Sequence, residues 1–217
     1  MKMKKKNKAL LFSGMGALLS FAVWTILVAC VEVKAIGPRD SSVGFATLNE
    51  YFHRLTGVSM SLYTITDWLG LVPVGVAFGF ALLGLFQLIK RKSLKEVDRS
   101  ILALGVFYVS VIAAYLLFEE VVINYRPVLI GGYLEASYPS STTMLTLCVM
   151  PTAIMQLRSR IKNTALKNLI TLAMALFTAF MVIGRLVSGV HWLSDIIGGI
   201  LISAGLVLIY RAVSDPQ

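Results

Sequence analysis

Charge is what this chain has little of: 14% of its 217 residues are charged, 57% are hydrophobic, and the mean hydropathy is +0.80. Soluble domains carry about 25% charged residues, and a domain of this length cannot hide so much apolar surface. A water-soluble class is therefore excluded, and an integral membrane protein is expected. Cysteine is nearly absent. Cys30 and Cys148 both fall in apolar runs, so no disulfide framework is implied. Histidine is equally sparse, with only His53 and His191. No low-complexity linker or repeat divides the chain, so residues 1–217 read as one domain.

Long apolar runs, uncharged except for Asp195 in the last, are what the sequence has instead. Residues 9–31, 69–89, 101–118, 139–157, 168–184 and 192–210 are apolar stretches of about 18 residues or more, enough to cross hydrocarbon. Backbone groups in lipid must be satisfied internally, so the runs read as helices. The predicted fold is all-α, a polytopic bundle of six transmembrane helices. Fifteen of the 20 basic residues lie in the N-terminal KMKKKNK, in KRKSLKEVDR, in RSRIKNTALK and at Arg211. By the positive-inside rule both termini are then cytoplasmic, and the +9 net charge is a topology signal rather than a sign of nucleic-acid binding. LVAC, Leu27 to Cys30, looks like a lipoprotein processing site, but its apolar run suits a plain first span better.

Between the first two runs lies an outside segment, residues 32–67. Phe45, Leu48, Phe52 and Leu55 recur there at helical spacing, interleaved with Asn49, Glu50, His53 and Arg54. That pattern predicts an amphipathic helix, either lying in the outer interface or packed across the mouth of the bundle.

Three stretches on the same, non-cytoplasmic side carry polar residues that an anchor does not need. They are FEEVVINYRPVL with Arg126, YPSSTTM at the start of the fourth span, and GRLVSGVHWLSD between the last two. In YPSSTTM, Pro139 suits a first turn, and Ser140, Ser141, Thr142 and Thr143 surround free helix N–H groups, a ready anion site. Arg126 and Arg185 offer planar forks of donors that match a phosphate. His191 and Asp195 are one helical turn apart, where the carboxylate can fix the ring tautomer and raise the basicity of the other nitrogen. Together these groups point to attack on phosphorus.

Arg-Pro, then Pro-Ser at a helix start, then Arg-x5-His-x3-Asp, resembles the type-2 phosphatidic acid phosphatase superfamily in its membrane branch. The resemblance spans Glu119 to Gly199 and is fullest in Arg185, Gly189, His191 and Asp195. It implies hydrolysis of a lipid phosphate or diphosphate through a phosphohistidine, with no metal and no cofactor. His191 would be the nucleophile and Asp195 its orienting partner. Arg126, Arg185 and the helix start at Ser140, Ser141 and Thr142 would hold the phosphoryl oxygens. The site would face outward, in what the short loops and basic start suggest is a bacterial plasma membrane.

Two positions depart from the family pattern. Glu119 stands where the first motif has lysine, and Thr142 where the second has the histidine that protonates the leaving oxygen. General-acid help is worth about 10²–10⁴-fold to an alkoxide leaving group. A phosphate monoester, whose second pKa is near ~6, leaves without it. The expected substrate is therefore a diphosphate, such as a polyprenyl diphosphate, in preference to phosphatidate. Glu119 and His53 are the candidate replacement acids, with Glu119 beside Arg126 read as its salt-bridge partner. The alternative is a degenerate member that binds or helps move a lipid phosphate without turnover, and a phosphatase for soluble esters fits the same chemistry.

Overall fold

The computed structural model describes residues 5–214; Lys2 and Lys4 of the basic start lie outside them. Among the described residues, eight α-helices run in the order α1 (Lys5–Cys30), α2 (Ala46–Thr56), α3 (Met60–Leu69), α4 (Leu71–Arg91), α5 (Arg99–Glu120), α6 (Ser141–Arg160), α7 (Thr164–Val187) and α8 (Leu193–Ser214). The short strands β1 (Lys34–Ala35) and β2 (Ser42–Val43) pair antiparallel between α1 and α2. Five helical stretches among the described residues are long and apolar enough to cross a membrane: α1, α3 with α4, α5, α7 and α8.

The remaining long helix, α6, falls outside that set for a physical reason. It is the central helix, packed against α4, α5, α7 and α8. Thr143, Thr146, Thr152 and Gln156 are all buried on it. A helix surrounded by protein can carry hydroxyls that bond back to its own turns, as Thr152 Oγ1 does to the Cys148 carbonyl at 2.8 Å. Its hydropathy is low because little of it needs to match lipid.

The second apolar run begins earlier than its hydropathy indicates. Ser59 caps α3 by accepting from the Leu62 N–H, and Gly70 keeps right-handed helical geometry, so α3 and α4 form a 32-residue stretch, Met60–Arg91. The outside segment consequently ends near Ser59, and Tyr63, Thr66 and Asp67 ride on helix. The amphipathic helix is present as α2. It docks through Ala46 and fully buried Asn49, while Tyr51 and Leu55 stay exposed.

Aromatic and small residues set the packing around α1. Phe21, Phe118 and Tyr138 cluster with ring centroids 5.6–6.3 Å apart, and Trp24 stacks on Phe45 at 5.0 Å. On the other half of α1, Gly14 and Gly205 let the α1 and α8 backbones approach: a β-carbon on Gly14 would lie 3.0 Å from the Gly205 carbonyl oxygen. Small residues serve this purpose between membrane helices, where van der Waals packing replaces the hydrophobic drive.

Candidate active site

The loop between α7 and α8 carries His191, and its path is fixed by backbone contacts. Gly189 takes φ +67°, and a β-carbon there would meet the Gly57 carbonyl oxygen at 1.8 Å. Only glycine fits both demands. Beside it, the Ser59 N–H donates to the Ser188 carbonyl at 3.0 Å. The α2–α3 turn thus clamps the loop from outside and fixes where His191 points.

His191, Arg126, Arg185 and Asp195 come together as a buried group, none more than 8% exposed. Arg126 Nη1 lies 3.0 Å and Arg185 Nη2 3.3 Å from His191 Nε2. Guanidinium groups only donate, so Nε2 must accept and the ring proton sits on Nδ1. That nitrogen faces Asp195 Oδ2 at 3.6 Å, an ion-pair distance just beyond a formed hydrogen bond. The arrangement leaves the Nε2 lone pair on the side where two positive charges converge.

Asp195 is held by more than the histidine. Its carboxylate accepts from the Trp192 N–H at 2.9 Å and from Asn124 Nδ2 at 3.2 Å. Asn124 also reaches Ser194 Oγ, which accepts from Asn49 Nδ2 at 2.9 Å, while Asn49 Oδ1 accepts from the Ser194 N–H. A buried carboxylate satisfied on this scale is fixed in direction. Asn124, two residues before Arg126, escapes sequence reasoning because one asparagine near a span end carries no spacing signal.

The arginines have further neighbours. Arg126 Nε lies 3.0 Å from Glu135 Oε2, close as charges though not aligned as a hydrogen bond. This corrects the pairing expected with Glu119, which instead lines a small crevice with Phe118, Ser137 and Pro139. Arg185 Nη1 contacts Thr66 Oγ1 at 3.4 Å and Asp67 Oδ1 at 3.5 Å. The Tyr63 ring lies under both guanidiniums, 4.9 Å from Arg185 and 5.9 Å from Arg126. Tyr63, Thr66 and Asp67 form one face of α3. They were legible only as polar residues near a span.

Ser140 is the N-cap of α6, one residue after the expected proline start, and makes no side-chain cap. Its own N–H donates to the Asp195 carbonyl at 3.1 Å, so the first-turn amides of Ser141, Thr142 and Thr143 are the ones without helical acceptors. Ser140 Oγ is buried without a protein partner. Ser141 and Thr142 line a cleft of about 280 Å³ with Asp67, Gly70, Tyr115 and apolar residues of α5 and α6. His53, the other acid candidate, packs against Trp192 with centroids 5.4 Å apart. Among the described residues no three His, Cys, Asp or Glu side chains gather as a metal site.

Burial, then Arg126, then Arg185 hold the His191 imidazole well below the usual histidine range. Burial also lowers His53, with the Gly189 backbone opposing. A lowered folded-state value means that both rings stay neutral as pH falls through 6.5, and His191 protonates only in stronger acid. Since the chain has two histidines, ¹⁵N-histidine NMR in detergent can follow both. Arg126→Gln is expected to raise the His191 midpoint and leave that of His53 unmoved. An ordinary midpoint for His191 in the unsubstituted protein contradicts the geometry.

The fold is similar to that of a known protein. A solved structure of a transmembrane PAP2-type phosphatidylglycerolphosphate phosphatase from Bacillus subtilis shares this fold, with a TM-score of 0.54 and 19% identity over 92% of this chain and 93% of that one. No curated protein matches the chain. A sequence model of the PAP2 superfamily matches residues 74–216, which takes in Arg126, the α6 start and the His191 loop. This integral membrane protein belongs to the PAP2 superfamily.

Proposed function

We propose that the chain, as one membrane domain of six spans with α6 as the sixth, is a phosphatase of lipid phosphates at the outer face of a bacterial plasma membrane. Its favoured substrate is a polyprenyl diphosphate rather than phosphatidate. The observation that carries this reading is the meeting of two guanidiniums at His191 Nε2. A terminal phosphate between them has its oxygens neutralised and its phosphorus facing the lone pair. Nε2 attacks, the bond from phosphorus to the bridging oxygen breaks, and the electron pair leaves with the polyprenyl phosphate. The positive charge formed on the ring is met by Asp195 across Nδ1. Water then hydrolyses the phosphohistidine.

Thr142 at the start of α6 supports the substrate preference. Its hydroxyl cannot serve as an acid at neutral pH, so a leaving group that is stable as an anion suits the site. The same residue, together with Glu119, supports a second reading, a member that binds or helps move a lipid phosphate without turnover. Phosphate release by the purified full-length protein from farnesyl diphosphate, phosphatidate and a soluble phosphate monoester separates them. Turnover is expected with the diphosphate well above the rest. Equal turnover of diphosphate and phosphatidate overturns the preference. Tight lipid-phosphate binding with no release from any of them favours the second reading.

A further inference from the structure

The family pattern places a histidine at position 142, and this chain has lost it. Something must still take a proton from the water that hydrolyses the phosphohistidine. Four carboxylates lie around the site: Asp67, Glu119, Glu135 and Asp195. Asp195 is fully buried and committed to Asn124, the Trp192 N–H and His191. Glu135 is paired with Arg126. Glu119 lies beside Pro139 in a narrow crevice that reaches Ser141 but not Thr142.

Asp67 is also paired with an arginine, Arg185, but it is placed differently. It lines the 280 Å³ cleft together with Ser141 and Thr142, so it borders the position from which the histidine is missing. The α3–α4 junction touches that position directly: a β-carbon on Gly70 would sit 3.6 Å from Thr142 Cγ2. The Asp67 side chain is 55% exposed, unlike fully buried Asp195, which leaves room for a water molecule beside its carboxylate. Its Oδ1 meets one terminal nitrogen of Arg185, while the other terminal nitrogen meets His191 Nε2. The guanidinium that binds the phosphoryl group therefore has the nucleophile on one side and Asp67 on the other. In-line attack on a phosphohistidine requires water on the face away from Nε2.

We infer that Asp67 is the general base of the second half-reaction, a role that rests on the phosphohistidine reading above. The Asp67 carboxylate takes one proton from water as the water oxygen bonds to phosphorus. The N–P bond breaks, and its electron pair returns to His191 Nε2. Inorganic phosphate is released, and the carboxylic acid passes its proton to solvent through the exposed cleft. Asp67 is not needed to eject a polyprenyl phosphate, so the two half-reactions should separate when it is altered.

Rapid-quench kinetics on the full-length protein in detergent, with farnesyl diphosphate labelled in its terminal phosphate, makes the test. Asp67→Asn is expected to give a burst of farnesyl phosphate equal to the enzyme concentration and an acid-labile phosphoenzyme. Steady-state turnover should fall by about 10²–10⁴-fold. Asp67→Glu is expected to recover part of the turnover and to empty the phosphoenzyme pool. Unchanged turnover in Asp67→Asn overturns the inference. So does a proportional loss of burst and turnover with no phosphoenzyme, because Asp67 would then serve only to hold Arg185. Activity that survives in His191→Ala, with no phosphoenzyme in any variant, instead removes the phosphohistidine reading itself.

Discussion

His191→Ala is expected to lower kcat for a polyprenyl diphosphate by at least about 10⁴-fold, some 5.5 kcal/mol of barrier. Loss of a nucleophile in a serine hydrolase costs on the order of 10⁶-fold, with the remaining rate coming from charge stabilisation and binding. The same division applies here. Both arginines aim at Nε2, so without the ring they still attract a phosphate but present it to nothing that can attack. Inorganic phosphate should therefore inhibit the wild type, and should still bind the variant by calorimetry with an affinity at least as high. Two buried guanidiniums no longer capped by the imidazole have more to gain from an anion. A variant that keeps more than a tenth of wild-type kcat removes His191 from the reaction.

Thr142→His is expected to raise phosphatidate hydrolysis by about 10²–10⁴-fold and to change diphosphate hydrolysis little. The asymmetry is the content of the prediction. An alkoxide departing from phosphatidate gains fully from a proton donor, whereas a departing phosphate monoester gains little, its second pKa lying near ~6. Thr142 borders an open cleft rather than a packed core, so an imidazole can extend from the first turn of α6 without displacing the helix. Paired kcat/KM values for the two lipids, wild type against variant, give the answer. A parallel rise for both, or no rise for either, means that leaving-group protonation does not set the preference.

How much of this was written in the sequence differs between the fold and the site. The spans were legible because lipid imposes a single requirement, about twenty apolar residues, that composition meets locally. α6 is the instructive departure: protein surrounds it, so its threonines and Gln156 face partners instead of lipid. Arg126, Arg185, His191 and Asp195 were legible because their residue types and short spacings state a chemistry. Asn124 and Asn49 were not. Their bonds to Asp195 and Ser194 cross 71 and 145 residues of chain, and no local pattern encodes a partner so distant. Asp67 was hidden differently. It was read as the end of an outside segment, and only the helix that starts after Ser59 turns it toward Arg185.

The close approach of α1 and α8 at Gly14 and Gly205 has a consequence for biogenesis. During synthesis α1 enters the membrane long before α8 exists, and its glycine-faced side must wait through the insertion of every intervening span. Trp24, in the C-terminal half of α1, donates to the Ser194 carbonyl at 3.1 Å, so the docking of α8 on α1 also fixes the residue beside Asp195. A nascent chain halted before α8 holds Arg126, the α6 start and His191 but has no Asp195. On the proposed function, His191 would then wait without its orienting carboxylate until α8 docks.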